Sequence, residues 1–361
     1  MWPKTTTTGA NRRDGLIIVR MTLVRLSFAF LLPVFCAAAE PCLHPDSGCS
    51  EHLTMGNRFV IIYRNFPLEA PNLNVDRALI MVHGAQRNGD GYFSTAMAAA
   101  AATGNLLNTI VIAPAFRGRE GRGCNDTVEP GELFWTCQGW NAGFPAIGEK
   151  AANSFAVMDR ILTLLNNKTR FPKLKSIVVA GHSGGGQFMQ RYAAMNRVEE
   201  SITIPVRYVV ANPSSYVYLD SKRPPTGANC TPEGKCAAAF GPYSDRANCT
   251  TYNNYRYGLE SLAGYAEEVG AETIRKQFPL RNVTYLVGDL DVLPDSDLDK
   301  SCPANAQGIN RRERGLNFWH YIQTEYHAQH KLTVVPRCGH NAACMFTAAA
   351  GAKVLFPPDA K

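Results

Sequence analysis

Ser176-Ile-Val-Val-Ala-Gly-His-Ser-Gly-Gly-Gly186 is the stretch on which the reading of this 361-residue chain turns. The β-branched run Ile177 to Val179 predicts a short buried strand, and beyond it Phe188, Met189, Tyr192 and Met195 recur at helical spacing. Between the two lies Gly181-His182-Ser183-Gly184-Gly185, a Gly-x-Ser-x-Gly pentapeptide at a strand-to-helix bend. A serine hydroxyl attacks a carbonyl only when it stands clear of the backbone and beside a base, which a strained turn achieves. Glycines at 181 and 185 let strand and helix close on each other at that bend. The N–H of Gly184, opening a helix, would then face an oxyanion developing next to Ser183. Short Gly-Ser patterns also arise in ordinary Gly-rich loops; the strand before and the helix after set this one apart.

Working outward, apolar runs at Arg58-Phe-Val-Ile-Ile-Tyr63, Ala78-Leu-Ile-Met-Val82, Asn108-Thr-Ile-Val-Ile-Ala-Pro114, Arg207-Tyr-Val-Val-Ala211, Val283-Thr-Tyr-Leu-Val287 and Leu332-Thr-Val-Val335 predict further strands. Helical spacing at Phe155, Met158, Ile161, Leu162 and Leu165, and again from Arg311 to His327, alternates with them; a last helix begins near Ala342. This alternation predicts an α/β fold with a mostly parallel central sheet flanked by helices. From Asn212 to about residue 282 no convincing sheet strand appears; one helical stretch falls near Leu259 to Phe278. A segment of that length before the penultimate strand predicts a lid-like insertion. Its Tyr216, Tyr218, Tyr252, Tyr255 and Tyr257 either line a substrate groove or pack the insertion onto the core.

A nucleophilic serine needs a base and a carboxylate that orients it, both delivered from the C-terminal ends of strands. In the chain order Ser, acid, His, the candidates are Ser183, Asp291 and His340, each just past a predicted strand. Asp289, Asp295, Asp297 and Asp299 share the acid's loop; the Gly-x-x-Asp step from Gly288 favours Asp291 over Asp289. That acidic run lacks the glycine of a calcium loop at its sixth position. His182 flanks the nucleophile and faces away from it, while His83 is placed to support the loop His83-Gly84-Ala85-Gln86-Arg87-Asn88. Ala85 or Gln86 would give the second oxyanion donor beside Gly184. His327 and His330, with His320, read as a solvated helix end and not as a metal site.

The first 39 residues carry Lys4, Arg12, Arg13, Arg20 and Arg25 against Asp14 alone. Setting that surplus of four aside leaves +3 of the formal charge of +7, which argues against nucleic acid as a partner. Arg25, the apolar run Leu26 to Phe35 and Ala37-Ala-Ala39 predict a signal peptide over 1–39, with cleavage before Glu40 and a natural start at Met21 as an alternative to Met1. The run is short for a bilayer, so no stable membrane insertion is expected after cleavage, and Phe35 before Cys36 argues against lipid attachment. Residues 40–361 then form a single domain, with 212–282 as its insertion. Ten of the eleven cysteines lie beyond the leader, an even number that predicts disulfides and a secreted or periplasmic protein. Cys42 with Cys49, Cys124 with Cys137 and Cys338 with Cys344 are plausible local pairs, although connectivity does not follow from spacing, and paired C-x-x-C motifs for zinc are lacking. Asn-x-Ser/Thr triplets stand at Asn125, Asn167, Asn229, Asn248 and Asn282.

With these residues assembled, the chain resembles the α/β-hydrolase superfamily over roughly residues 58–350. The segments His83-Gly84-Ala-Gln-Arg-Asn88, Gly139-Trp140, Gly181-His-Ser-Gly-Gly185 and Gly339-His340 look like those of secreted esterases of the polyhydroxyalkanoate-depolymerase and feruloyl-esterase kind. The resemblance implies cleavage of small or polymeric esters by two-step acyl transfer, with no metal and no organic cofactor. Trp140 and Tyr216 are the substrate-binding candidates. An amidase or peptidase using the same three residues is the rival enzyme, and a non-catalytic binding protein on this scaffold the rival class.

Overall fold

Residues that are apolar at every position, as Ala78 to Val82 are, can only be buried on both faces, and this stretch runs through the middle of the sheet. The structure, a computed structural model, describes residues 40–121 and 123–357; the leader expected over 1–39, with Met21 and Cys36, lies outside the described residues. The main strands are β1 (Ser50–Met55), β2 (Arg58–Arg64), β3 (Arg77–Val82), β4 (Thr109–Pro114), β5 (Ser176–His182), β6 (Val206–Ala211), β7 (Val283–Gly288) and β8 (Lys331–Val335). They form one eight-stranded sheet in the order β1-β2-β4-β3-β5-β6-β7-β8. The pairs β1/β2 and β2/β4 are antiparallel, and every pair from β4 to β8 is parallel.

Strand alternation sorts the core onto two sides. Ile80, Val82, Ile112, Val179 and Val210 face one cluster, where Phe155 and Met158 of α2 (Ser154–Leu165), Phe188 and Met189 of α3 (Gly184–Met195) and Phe318 of α4 (Arg311–Tyr326) pack. Leu79, Met81, Val111, Ala180 and Ala211 face the other, covered by Phe93 and Ala96 of α1 (Gly89–Ala102) and by Met345, Phe346 and Leu355 of two short C-terminal helices. The result is a helix-sheet-helix sandwich.

Two elements depart from expectation. β1 escapes sequence reading because only Leu53 of its six residues is buried, as befits an edge strand. The stretch near Leu259 to Phe278 is not one helix: Tyr265–Val269 and Ala271–Gln277 are separated by Gly270 at φ +80°, a left-handed conformation no helix interior accommodates. Ten cysteines meet in pairs placed for disulfides, Cys42–Cys49, Cys124–Cys137, Cys230–Cys236, Cys249–Cys302 and Cys338–Cys344. No helix among the described residues is long and apolar enough to cross a membrane.

Candidate active site

The parallel register brings the C-terminal ends of β3, β5, β6, β7 and β8 to one edge, so the loops that follow them converge. Ser183 sits at the bend between β5 and α3 with φ 59° and ψ −119°, a conformation that costs a non-glycine residue on the order of 1–3 kcal/mol. Its neighbours explain why the bend needs glycine: a Cβ on Gly181 would overlap the carbonyl of Gly185, one on Gly185 would strike the carbonyl of Val82, and one on Gly186 would lie 2.5 Å from the Ala211 oxygen. α3 is therefore pressed directly onto three strand ends, and Ser183 is turned out at its N-terminus.

His340 arrives from the loop after β8 and Asp291 from the loop after β7. His340 Nε2 lies 2.9 Å from Ser183 Oγ, and its Nδ1 lies 2.8 Å from Asp291 Oδ2. Asp291 is buried and Ser183 nearly so, whereas the His340 side chain keeps 18% of its surface open to solvent. Asp289, two residues back, is not the partner of His340; its backbone N–H donates to Val335 O. The rest of the acidic run does not converge on one point: Asp295 takes both Nη groups of Arg311 at 2.8 and 2.7 Å, Asp299 accepts from Tyr257, and Asp297 is exposed. The Arg311 guanidinium holds the Asp295 carboxyl below the usual range.

Several residues that position this trio carried no sequence signal strong enough to single them out. Arg311 is fully buried; its Nη1 stands 3.7 Å from Asp291 Oδ1 and its Nε donates to Ser214 Oγ. At the first turn of a helix it reads as an ordinary exposed arginine. Asn212, in the left-handed region at φ 44°, accepts from the Gly288 N–H at 2.9 Å and reaches the Gly339 carbonyl at 3.4 Å. A lone Asn before Pro is too common to flag.

His182 is buried beneath His340, ring centroids 4.5 Å apart, and shares a hydrogen bond with the Tyr92 hydroxyl at 3.2 Å. Burial first, then the neighbouring His340, keeps it neutral, well below the ordinary histidine range. His83 is buried too: Nε2 accepts the Phe116 N–H at 2.9 Å, which leaves Nδ1–H to donate to Gly84 O at 3.0 Å. Burial lowers it to about 4.

A cleft of about 340 Å³ opens beside Ser183 and His340, with Gly84, Ala85, Gln86 and Asp297 in its walls. None of its lining residues belongs to the segment 212–282. The two substrate-binding candidates are not in it either, and both expectations need correcting. Trp140 is fully buried, its ring 4.6 Å from that of His83 and its Nε1 donating to Cys137 O at 3.0 Å. It props the loop after β3 from beneath. Tyr216 is also fully buried, stacked on Phe318 at 4.6 Å, with its backbone paired to the Gln307 side chain. Both are core residues, and Tyr216 packs its segment onto the core instead of lining a groove. The histidines near the end of α4 differ as well: His327 is exposed, but His330 is buried between the Tyr285 hydroxyl and the Phe278 carbonyl, at 3.0 and 3.1 Å.

The sequence profile of the Alpha/beta hydrolase family matches residues 79–354. Among solved structures, the chain is similar to LpqC, a poly(3-hydroxybutyrate) depolymerase from Bordetella parapertussis, with 19% identity and a TM-score of 0.56, covering 84% of this chain and 87% of that one. It is similar to poly(aspartic acid) hydrolase-1 from Sphingomonas sp. KT-1 at 20% identity and a TM-score of 0.56, covering 84% of this chain and 96% of the other. No curated protein sequence matches it.

Proposed function

The chain belongs to the alpha/beta hydrolase family, and from that premise we propose that it is a serine hydrolase cleaving carboxylic esters, with Ser183 as nucleophile, His340 as base and Asp291 as the orienting acid. One observation carries the proposal: the unbroken series Ser183 Oγ, His340 Nε2, His340 Nδ1, Asp291 Oδ2, with gaps of 2.9 and 2.8 Å. The Asp291 carboxylate accepts the Nδ1–H and so leaves Nε2 free to take a proton. Ser183 Oγ attacks the ester carbonyl as its proton passes to His340, and the carbonyl π pair moves onto oxygen. That oxyanion is met by the N–H of Gly184, at the positive end of α3, and by the N–H of Ala85 or Gln86, each worth roughly 3 kcal/mol. Collapse expels the alcohol, which takes the proton from His340. Water then repeats the sequence on the acyl-enzyme and releases the acid, with no metal or organic cofactor in any step.

The cysteine pairs support an oxidising compartment, and we place the protein outside the cytoplasm, secreted or periplasmic. The test uses a fluorophosphonate probe and matched p-nitrophenyl esters and p-nitroanilides. Wild type is expected to be labelled and to turn over esters faster than anilides, while Ser183→Ala is neither labelled nor active and unfolds at nearly the same temperature. Labelling that persists in Ser183→Ala removes the assignment; faster anilide turnover makes the enzyme an amidase. Polyester film and feruloylated sugar in the same panel sort polymeric from small substrates.

A further inference from the structure

We propose that Arg87, gripped by Asp126, is a positioning residue that turns the N–H groups of the loop Gly84-Ala85-Gln86 toward the oxyanion; this rests on the serine-hydrolase reading above. The loop lies against the nucleophile: a Cβ on Gly84 would stand 3.6 Å from Ser183 Cβ, and one on Gly184 only 3.0 Å from Ala85 N. Neither the Ala85 nor the Gln86 N–H donates to an acceptor among the described residues, although both residues line the cleft.

Their carbonyls, by contrast, are engaged. Gly84 O accepts from the Arg87 N–H at 3.0 Å and from His83 Nδ1, and Ala85 O accepts from Arg87 Nη1. Trans peptide groups carry C=O and N–H on opposite sides, and no cis bond occurs among the described residues. Holding the two carbonyls therefore aims the N–H groups of Ala85 and Gln86 the other way. A peptide that rotated instead would bring a carbonyl oxygen to the place where negative charge develops.

Arg87 itself is held. It is nearly buried, sits in the left-handed region at φ 56°, and donates to Asp126 through Nε at 2.6 Å and Nη2 at 3.2 Å. Asp126 also accepts the Gly118 N–H at 2.8 Å, and Cys124, two residues before it, is tied to Cys137. The forked pair fixes the plane of the guanidinium, which a lysine would not. Because Asp126 balances the charge of Arg87, the arginine acts through geometry and not through its field.

The experiment compares Arg87→Met, Arg87→Lys and Asp126→Asn with wild type for kcat and KM on p-nitrophenyl butyrate, and for inhibition by a trifluoromethyl ketone that forms a tetrahedral adduct on serine. Loss of one oxyanion donor costs about 10²–10³ in kcat, so a displaced donor is expected to cost Arg87→Met at least about 30-fold in kcat with KM within about threefold. Arg87→Lys and Asp126→Asn lose about tenfold, and ketone affinity falls in step with kcat/KM. Should Arg87→Met not fold, the other two variants carry the test, with thermal unfolding as the check. Unchanged kcat in the folded variants, a loss confined to KM, or a faster Asp126→Asn enzyme, as a field effect would give, overturns the proposal. Phosphonate labelling separates the two levels: an unlabelled wild type removes the serine-hydrolase reading itself, whereas a labelled wild type with unimpaired variants removes only the role of Arg87.

Discussion

Lowering the pH from 7 to 4 is expected to destabilise this fold through buried histidines other than His340. His83 and His330 are buried and hydrogen-bonded as neutral rings, and burial lowers each from 6.5 to about 4. In the unfolded chain both titrate near 6.5, so between 6.5 and 4 the unfolded state binds one more proton per ring than the folded state. Stability is then whole above 6.5 and falls as the pH drops, by about 1.4 kcal/mol per unit for each ring. Over this window that is about 3 kcal/mol per histidine, and roughly 6 for both, against a total of about 5–15 kcal/mol for an ordinary domain. Asp126, Asp295 and Asp299 are shifted below the ordinary carboxylate value, so their contribution persists to lower pH and does not blur the effect. For Asp126 burial acts upward, and the hydrogen bonds from Arg87 and the Gly118 N–H outweigh it. Urea midpoints of wild type and His330→Gln at pH 7, 6, 5 and 4 measure this directly. His330→Gln should be less stable at pH 7 but lose stability more slowly on acidification, its slope shallower by about 1.4 kcal/mol per unit. Parallel slopes for the two proteins would refute the reasoning.

Three further outcomes are expected. Asp291→Asn should lower kcat on the order of 10⁴-fold with little change in melting temperature, whereas Asp289→Asn should remain active; the reverse pattern in steady-state kinetics would transfer the acid's role to Asp289. Trp140→Phe should lower the melting temperature while leaving the ranking of ester substrates unchanged, because the ring packs under His83 and away from the cleft; a reordered substrate panel would return it to the binding surface. Replacing Cys338 and Cys344 by serine frees the loop that carries His340 and should cost about 2 kcal/mol in urea unfolding together with a several-fold loss of kcat; a non-reducing mass map with both thiols free in wild type would remove the premise.

The parallel strands were legible as short runs dominated by apolar and β-branched residues, and their order along the chain, with the Gly-x-x-Asp step from Gly288, pointed to Ser183, Asp291 and His340 as candidates. What stayed hidden depends on side chains whose environment comes from distant segments. Trp140 and Tyr216 read as groove residues because a large aromatic in a Gly-rich loop or an insertion looks available for contact; the structure fills the space around them with Phe116, Phe188 and Phe318. His330 looked solvated because it follows a helix end, yet the start of β8 carries it under Tyr285. Arg311 looked like any helical arginine until the loop after β7 folded its carboxylates onto it. Local pattern identifies what alternates along one element; it does not identify what another segment of the chain brings to it.

The same distinction explains how a loop-borne site is kept rigid. His340 and Asp291 stand on separate loops, and in the proposed mechanism a shift of about 1 Å between them would spoil the hydrogen bond that holds the imidazole in one tautomer. The two loops are accordingly joined by backbone. The Leu290 N–H donates to Cys338 O at 3.0 Å, and a Cβ on Gly288 would collide with that same carbonyl, so the approach is possible only with glycine there. Asn212 spans both loops from the end of β6, and its left-handed backbone is one that Asn tolerates far better than a branched side chain. Asp291 and His340 are thus referenced, through Asn212, to the end of β6, which also borders Ser183. Rigidity at Ser183 comes from glycines that admit backbone contact, and rigidity at Asp291 and His340 comes from the backbone contact that Gly288 admits.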